Sequence, residues 1–317
     1  MSVSKFTLNV NMLVVIILIM SWLFFALLSP VIYTAVNFID KYLLNKVVRD
    51  YKALPIYTAI AGFFFGIIIW IFTGFPILPI KDTVIVLITG ILTVMSLVLY
   101  SKALLEEETS KIIFLFQIIP LFSVVLSYIF LKEYLTINQM MGFCLVLISS
   151  ILVVVDKVDK KVKVSKALFY LLIYDFIWAL CGILMKYALN VNSFSKLLSY
   201  ESIGVGIGGL ILYLTVPSIR NAFNKNFPKT KNKALGIIFL NECVFIIAKS
   251  LSYFAFSLGP VALVSVLENT QVFYGVLIGS ILTIFWPKIF NERMSKEALI
   301  KKIVLGIILV IGIILLT

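Results

Sequence analysis

The stretch IIFLFQIIPLFSVVLSYIFL, Ile112–Leu131, runs for 20 residues without a charge and decides the fold class of this chain. At ~1.5 Å rise per residue, ~20 apolar helical residues cross the ~30 Å hydrocarbon core of a bilayer. Four further uncharged runs share the first half: Phe6–Ile39, Ala53–Ile80, Thr83–Ser101 and Tyr134–Val155, of 34, 28, 19 and 22 residues. The strands of a membrane barrel need only ~10 alternating residues, so runs of this length specify helices. From Leu168 onward the segments keep spanning length, but four acids and a lysine interrupt them.

The sequence predicts an all-α polytopic membrane protein with ten transmembrane helices. They fall near residues 12–40, 54–73, 83–104, 111–131, 137–155, 167–190, 196–216, 234–257, 260–285 and 299–316. Composition agrees, with 62% hydrophobic and 13% charged residues and a mean hydropathy of +1.12, values foreign to soluble domains. Lys5 ahead of an apolar stretch has the outline of a signal peptide. The stretch is too long for one and lacks a clean small-x-small cleavage site, so it reads as a retained first span.

Absent residue types restrict the chemistry. With no histidine, histidine acid/base catalysis, the commonest zinc ligand and a histidine proton relay all drop out. The cysteines Cys144, Cys181 and Cys243 fall inside spans, where they read as packing residues and not as a disulfide framework or metal ligands. No metal and no cofactor is expected, and no enzyme activity.

The net charge of +12 is spread over loops, so nucleic acid is not an expected partner. Loops after the odd-numbered spans hold 21 Lys and Arg, and the other face holds five: Lys5, Lys81, Lys132, Lys186 and Lys196. The positive-inside rule then places the odd loops in the cytoplasm and both termini outside.

The two halves echo each other. Lys41-Tyr42-Leu43-Leu44-Asn45 ends the first span, and Lys186-Tyr187-Ala188-Leu189-Asn190 ends the sixth. Spans two and seven each carry Gly-x-x-x-Gly, at Gly62/Gly66 and Gly204/Gly208. Gln117 with Pro120 in span four corresponds to Glu268 with Gln271 in span nine, and Leu131-Lys132-Glu133 corresponds to Phe290-Asn291-Glu292. This divides the chain into a first five-helix repeat (1–155), a basic linker loop (156–166) and a second five-helix repeat (167–317). Five is odd, so the second copy is inverted, a recurring device of secondary transporters.

With Tyr33 and Trp178 each eight residues before a helix-ending lysine, Pro120-Leu121-Phe122 and Leu131-Lys132-Glu133, the chain resembles the EamA-type members of the drug/metabolite transporter superfamily. The resemblance runs from about Leu27 to Leu316. It implies two inverted five-helix repeats, with spans 1, 3, 4, 6, 8 and 9 around a central cavity. The chain departs from the family at Gln271, which stands where Pro120 does in the first half, and in its outward-facing termini. Small multidrug resistance relatives carry a membrane glutamate where Tyr33 and Trp178 stand, so their proton/drug exchange mechanism does not transfer.

An ionisable group at mid-bilayer costs ~2.5–3.5 kcal/mol on insertion scales, so it faces a cavity or a partner. The candidate substrate-binding and transport residues are Tyr33, Asn37, Tyr100, Gln117, Asp175, Trp178, Glu242, Lys249, Glu268 and Gln271. Lys249 is expected to pair with Glu242, two turns away on its own helix, or with Glu268. Glu201, about a turn into its span, is expected to be structural and to reach the interface. The paired glycines at 62/66, 204/208 and 275/279 read as close helix contacts, and Pro30 and Pro120 as kinks.

These features predict a secondary transporter moving a small polar metabolite, amino-acid-like or cationic, out of the cell by alternating access. Its expected partners are that small-molecule substrate and membrane lipids, with a homodimer left open, in the plasma membrane. A flippase for a polyprenyl-linked sugar is the nearest alternative; a membrane-embedded enzyme and a non-transporting scaffold are more distant.

Overall fold

A computed structural model describes residues 3–48, 50–107, 109–154, 166–285 and 296–316. Among them every element is helical. In chain order these are α1 (Val3–Lys46), α2 (Leu54–Phe72), α3 (Ile80–Glu106), α4 (Thr109–Leu115), α5 (Ile119–Leu126), α6 (Ile137–Val154), α7 (Lys166–Leu189), α8 (Phe194–Thr215), α9 (Pro217–Asn226), α10 (Asn232–Leu258), α11 (Val261–Glu268), α12 (Gln271–Phe285) and α13 (Lys296–Leu316). Among the described residues, eight stretches are long and apolar enough to cross a membrane; two more, Ile137–Ser149 and Val304–Leu316, are apolar but shorter. Large apolar side chains such as Phe24, Phe64, Leu210 and Ile247 are exposed on the outside of the bundle. A surface of that kind is stable in lipid and not in water. The chain is an integral, multi-pass membrane protein.

Helix pairing sets the architecture. α8 lies between α2 and α3, α1 runs against α10, α3 against α7, and α6 against α13. Glycine makes the closest of these contacts. A Cβ on Gly90 would sit 2.1 Å from the Glu201 carbonyl oxygen, and one on Gly204 2.4 Å from the Leu87 carbonyl. Gly62 and Gly66 also face α8, whereas Gly204 and Gly208 face α3. A second close crossing joins α6 to α13, where Gly142 and Gly312 each approach the other's carbonyl oxygen.

Spans four and nine are each interrupted near mid-length. Span four passes through a 3₁₀ turn, Phe116–Ile118, between α4 and α5. Span nine breaks at Asn269 and Thr270, between α11 and α12. Pro120 explains the first break, because without an N–H it leaves the Phe116 carbonyl without its helical donor. Asn269 Nδ2 donates to that carbonyl at 2.9 Å. In return Gln117 Nε2 donates to the Asn269 carbonyl at 3.0 Å. Each broken helix thus satisfies the backbone of the other. Gln117 meets Asn269, the residue after Glu268, across the crossing.

Below this crossing, α5 continues into a π-helical turn, Ser127–Leu131. Lys132 takes a left-handed backbone, φ 56°, and ends it. The turn presents Glu133, whose Oε2 accepts the Val261 N–H at 3.0 Å and so caps α11. Burial raises the Glu133 carboxyl above the usual range, while the Lys186 ammonium opposes that shift. The sequence counterpart, Phe290-Asn291-Glu292, lies outside the described residues.

Two lysines tie neighbouring helix ends together. Lys41 Nζ donates to the Leu104 carbonyl and, at 2.8 Å, to the Glu107 carbonyl. Lys186 Nζ donates to the Phe256 carbonyl at 2.5 Å and the Gly259 carbonyl at 3.0 Å. In each case a lysine near one helix C-terminus neutralises the partial negative charge at another.

Candidate functional site

α1, α3, α7 and α10 enclose the middle of the bundle, and α11 closes one end. Three adjoining cavities share wall residues there, with volumes of about 20, 50 and 50 Å³. Each has room for one or a few waters, far below the ~300–1,000 Å³ of a small-molecule site. The described conformation is therefore contracted around its polar interior.

Three aromatics stand at the centre. Tyr33 of α1 lies 6.2 Å from Trp178 of α7 and 5.6 Å from Phe245 of α10, and Trp178 lies 6.3 Å from Phe245, all edge-on. Edge-to-face contacts at these distances are favourable, and together they form a collar across the cavity line. Tyr174 and Tyr100 continue it as a stack, with centroids 5.4 Å apart.

On one side of the collar sits Glu268, the last residue of α11. Ser29 Oγ donates to it at 3.3 Å, Ser252 Oγ also donates to it, and the two serines are 3.1 Å apart. Ser265 and Cys181 share the wall. On the other side lie Asp40, Glu242, Asn37, Asn241 and Tyr100. Asp40 accepts from Asn241 Nδ2 at 2.7 Å and from the Tyr100 hydroxyl at 3.1 Å. The Tyr100 hydroxyl also reaches Asn37 Oδ1 at 2.9 Å. Among the described residues, no cation pairs with Asp40, Glu242 or Glu268.

Lys249 is paired, but not as the sequence predicts. Its ammonium bonds both oxygens of Glu201, at 2.8 and 3.0 Å, and lies 5.0 Å from the Phe245 ring. Both partners are buried, Glu201 completely. Glu242 and Glu268 are therefore not its partners, and Glu201 does not reach the interface. The reason is tertiary: Gly90 and Gly204 draw α8 against α3, which turns Glu201 inward to meet α10.

The sequence-selected residues separate into three groups. Tyr33, Asn37, Tyr100, Trp178, Glu242, Glu268 and Gln271 line the cavities. Gln117 instead braces the crossing of the two broken spans, and Lys249 is held in its ion pair. Asp175 lines none of the three cavities; it is fully buried, with both carboxyl oxygens unpartnered among the described residues. Asp40 and Asn241 are absent from the sequence selection. A first span predicted over 12–40 puts Asp40 at its very end, whereas α1 continues to Lys46 and holds it inside the bundle. Asn241 precedes Glu242 and draws no notice as a neutral residue. Among the described residues, no group of three or more His, Cys, Asp or Glu side chains is arranged to hold a metal.

Known proteins define the class. A solved crystal structure superposes with a TM-score of 0.65 at 14% identity, covering 92% of this chain and 96% of the other. At that identity the likeness establishes the fold alone. No curated protein matches the sequence. The model of the EamA-like transporter family matches residues 20–155. The chain is a multi-pass membrane protein that is similar, over residues 20–155, to the EamA-like transporter family.

Proposed function

We propose that this protein is a secondary transporter that moves a small cationic or zwitterionic metabolite, amino-acid-like in size, by alternating access across the plasma membrane. The observation that carries this reading is the charge of the interior. Asp40, Glu242 and Glu268 face the cavities without a paired cation, while Lys249 is already engaged by Glu201. An interior with this balance attracts an ammonium and repels an anion.

The reading treats residues 1–155 and 167–317 as inverted repeats joined by 156–166. Two features support that division. The carbonyl acceptors of Lys41 and Lys186 lie 152 residues apart in both pairs, Leu104 with Phe256 and Glu107 with Gly259. Gln117 and Asn269, also 152 apart, make reciprocal bonds at the two helix breaks. Discontinuous helices facing each other at a repeat interface are where such carriers place their substrate. Opening either side of the Tyr33–Trp178–Phe245 collar would then expose one acidic chamber at a time. Export is the direction proposed, and the basic loops set only the orientation of the chain.

The test is a thermal-shift screen of the purified protein against amino acids, polyamines, quaternary ammonium compounds, sugars and organic anions. Stabilising compounds are then followed by radiolabel uptake into proteoliposomes. Ligand stabilisation grows as RT ln(1 + [L]/Kd), so weak ligands register at high concentration. Stabilisation and transport confined to ammonium-bearing compounds are expected. Transport of anions or of lipid-linked sugars alone would overturn the reading.

A further inference from the structure

The chamber holding Asp40 and Glu242 has too little room for an organic solute and too many oxygens for a dry core. Its volume is about 50 Å³, space for a few waters or for an ion with part of its shell. Asn37, Asp40, Asn241 and Glu242 are each more than nine-tenths buried. Three features set this cluster apart from a closed structural network, in which every buried polar atom has a partner.

First, Asn241 commits its amide nitrogen to Asp40, which leaves Oδ1 buried and unpartnered beside the cavity. Second, the Tyr100 hydroxyl has one proton for two acceptors, Asn37 Oδ1 at 2.9 Å and Asp40 at 3.1 Å. Given to the charged acceptor, it leaves the phenol oxygen to accept from the Asn37 amide. The Asn37 carbonyl then turns to the side where its nitrogen now has no partner. Third, Glu242 has no hydrogen-bond donor among the described residues; the Lys249 ammonium, already bonded to Glu201, and Asp40 both lie within electrostatic range of it. What remains on the wall of this chamber is a set of acceptors: two amide carbonyls, the carboxylates of Glu242 and Asp40, and the Thr58 hydroxyl.

We propose that this chamber binds a monovalent metal cation such as Na⁺, coordinated by Asn37, Asn241 and Glu242, and that the ion couples to the solute held in the Glu268 chamber. The coupling clause rests on the transporter reading; the binding clause does not. All-oxygen ligands suit a hard cation. A divalent ion such as Ca²⁺ takes six to eight oxygens, commonly with several carboxylates. The collar residues Tyr33, Trp178 and Phe245 stand between Glu242 and Glu268, while Asn37 borders both the ion chamber and the cavity that Glu268 lines, so the two sites communicate through Asn37 and the shape of α1 and α10.

The experiment measures ²²Na⁺ binding to the purified protein, together with its melting temperature in NaCl, KCl and choline chloride at equal ionic strength. Wild type is expected to bind Na⁺ saturably and to melt higher in NaCl than in choline chloride. Glu242→Gln should weaken Na⁺ binding by about tenfold or more, whereas Glu268→Gln should leave it intact. Asn241→Leu removes both the open carbonyl and the Asp40 contact and provides a second variant if Glu242→Gln does not fold. No specific Na⁺ binding by wild type, or binding unchanged in both Glu242→Gln and Asn241→Leu, overturns the proposal and leaves a chamber of buried waters. Sodium binding with no solute transport would sustain the ion site and sink the carrier reading instead.

Discussion

At the scale of single residues, what distinguishes the buried charges is whether they have a partner. Glu268 accepts from two serines but meets no cation, and it faces a cavity. Glu268→Gln keeps the shape and removes the charge. The expected outcome is loss of solute transport in proteoliposomes with normal insertion and an unchanged elution profile. Wild-type rates in this variant would remove Glu268 from the mechanism. Lys249 and Glu201 behave differently, because each is satisfied by the other. Removing one member of a buried pair strands the second and costs ~3–5 kcal/mol, while removing both costs less. Lys249→Met should therefore melt well below wild type, and Lys249→Met with Glu201→Gln should recover much of the loss. Adding Glu242→Gln to Lys249→Met should give no such recovery. Recovery through Glu242 would show that the pairing in the folded protein differs from the one described.

Among the elements, the crossing of the two broken spans and the glycine contacts of α8 make separate predictions. Asn269 supplies the donor that Pro120 denies to the Phe116 carbonyl. Asn269→Ala leaves that carbonyl with only the 3₁₀ bond from the Ile119 N–H and removes one buried hydrogen bond, a loss of about 1 kcal/mol, readable as a fall in melting temperature. Pro120→Ala restores a donor within the same helix. Combined with Asn269→Ala it should recover stability, while straightening a segment whose bend places the α5 and α11 walls. For the glycines, space decides the sign. Gly90→Ala puts a methyl group against the Glu201 backbone and should strongly reduce folded yield. Gly236 has nothing within 4 Å of an added Cβ, so Gly236→Ala should be neutral or stabilising by up to ~1 kcal/mol. Equal effects at the two positions would contradict the α3–α8 packing.

On the scale of the whole molecule, charge governs orientation. The bias of 21 basic residues against five predicts that the loop 217–233 is cytoplasmic and that Thr317 faces outward. That loop contains α9, whose Arg220 and Lys225 suit the anionic inner leaflet. A single reporter cysteine in each position, labelled with a membrane-impermeant maleimide in intact cells, checks this. Labelling at the C-terminus and protection in the loop are expected. The reverse pattern would show that the chain inserts against its charge bias.

The sequence alone determined that this is a helical membrane protein. Run length and uncharged composition are local quantities, and the bilayer's fixed thickness converts them directly into helices. The Lys41 and Lys186 echo, Gln117 beside Pro120, and the acid at 268 were likewise legible, because repeated or costly residues stand out against an apolar background. The partner of Lys249 was not legible, since only the glycine-mediated approach of α8 to α3 rotates Glu201 inward. Asp40 was hidden by a span boundary drawn at the first charge, which a helix crosses freely when a tyrosine and an asparagine from other helices satisfy that charge. The reciprocal bonds of Gln117 and Asn269 needed both halves in place. Contacts between distant helices are not written in any local window, and in this protein they decide which buried charges are spent on structure and which remain open to a ligand.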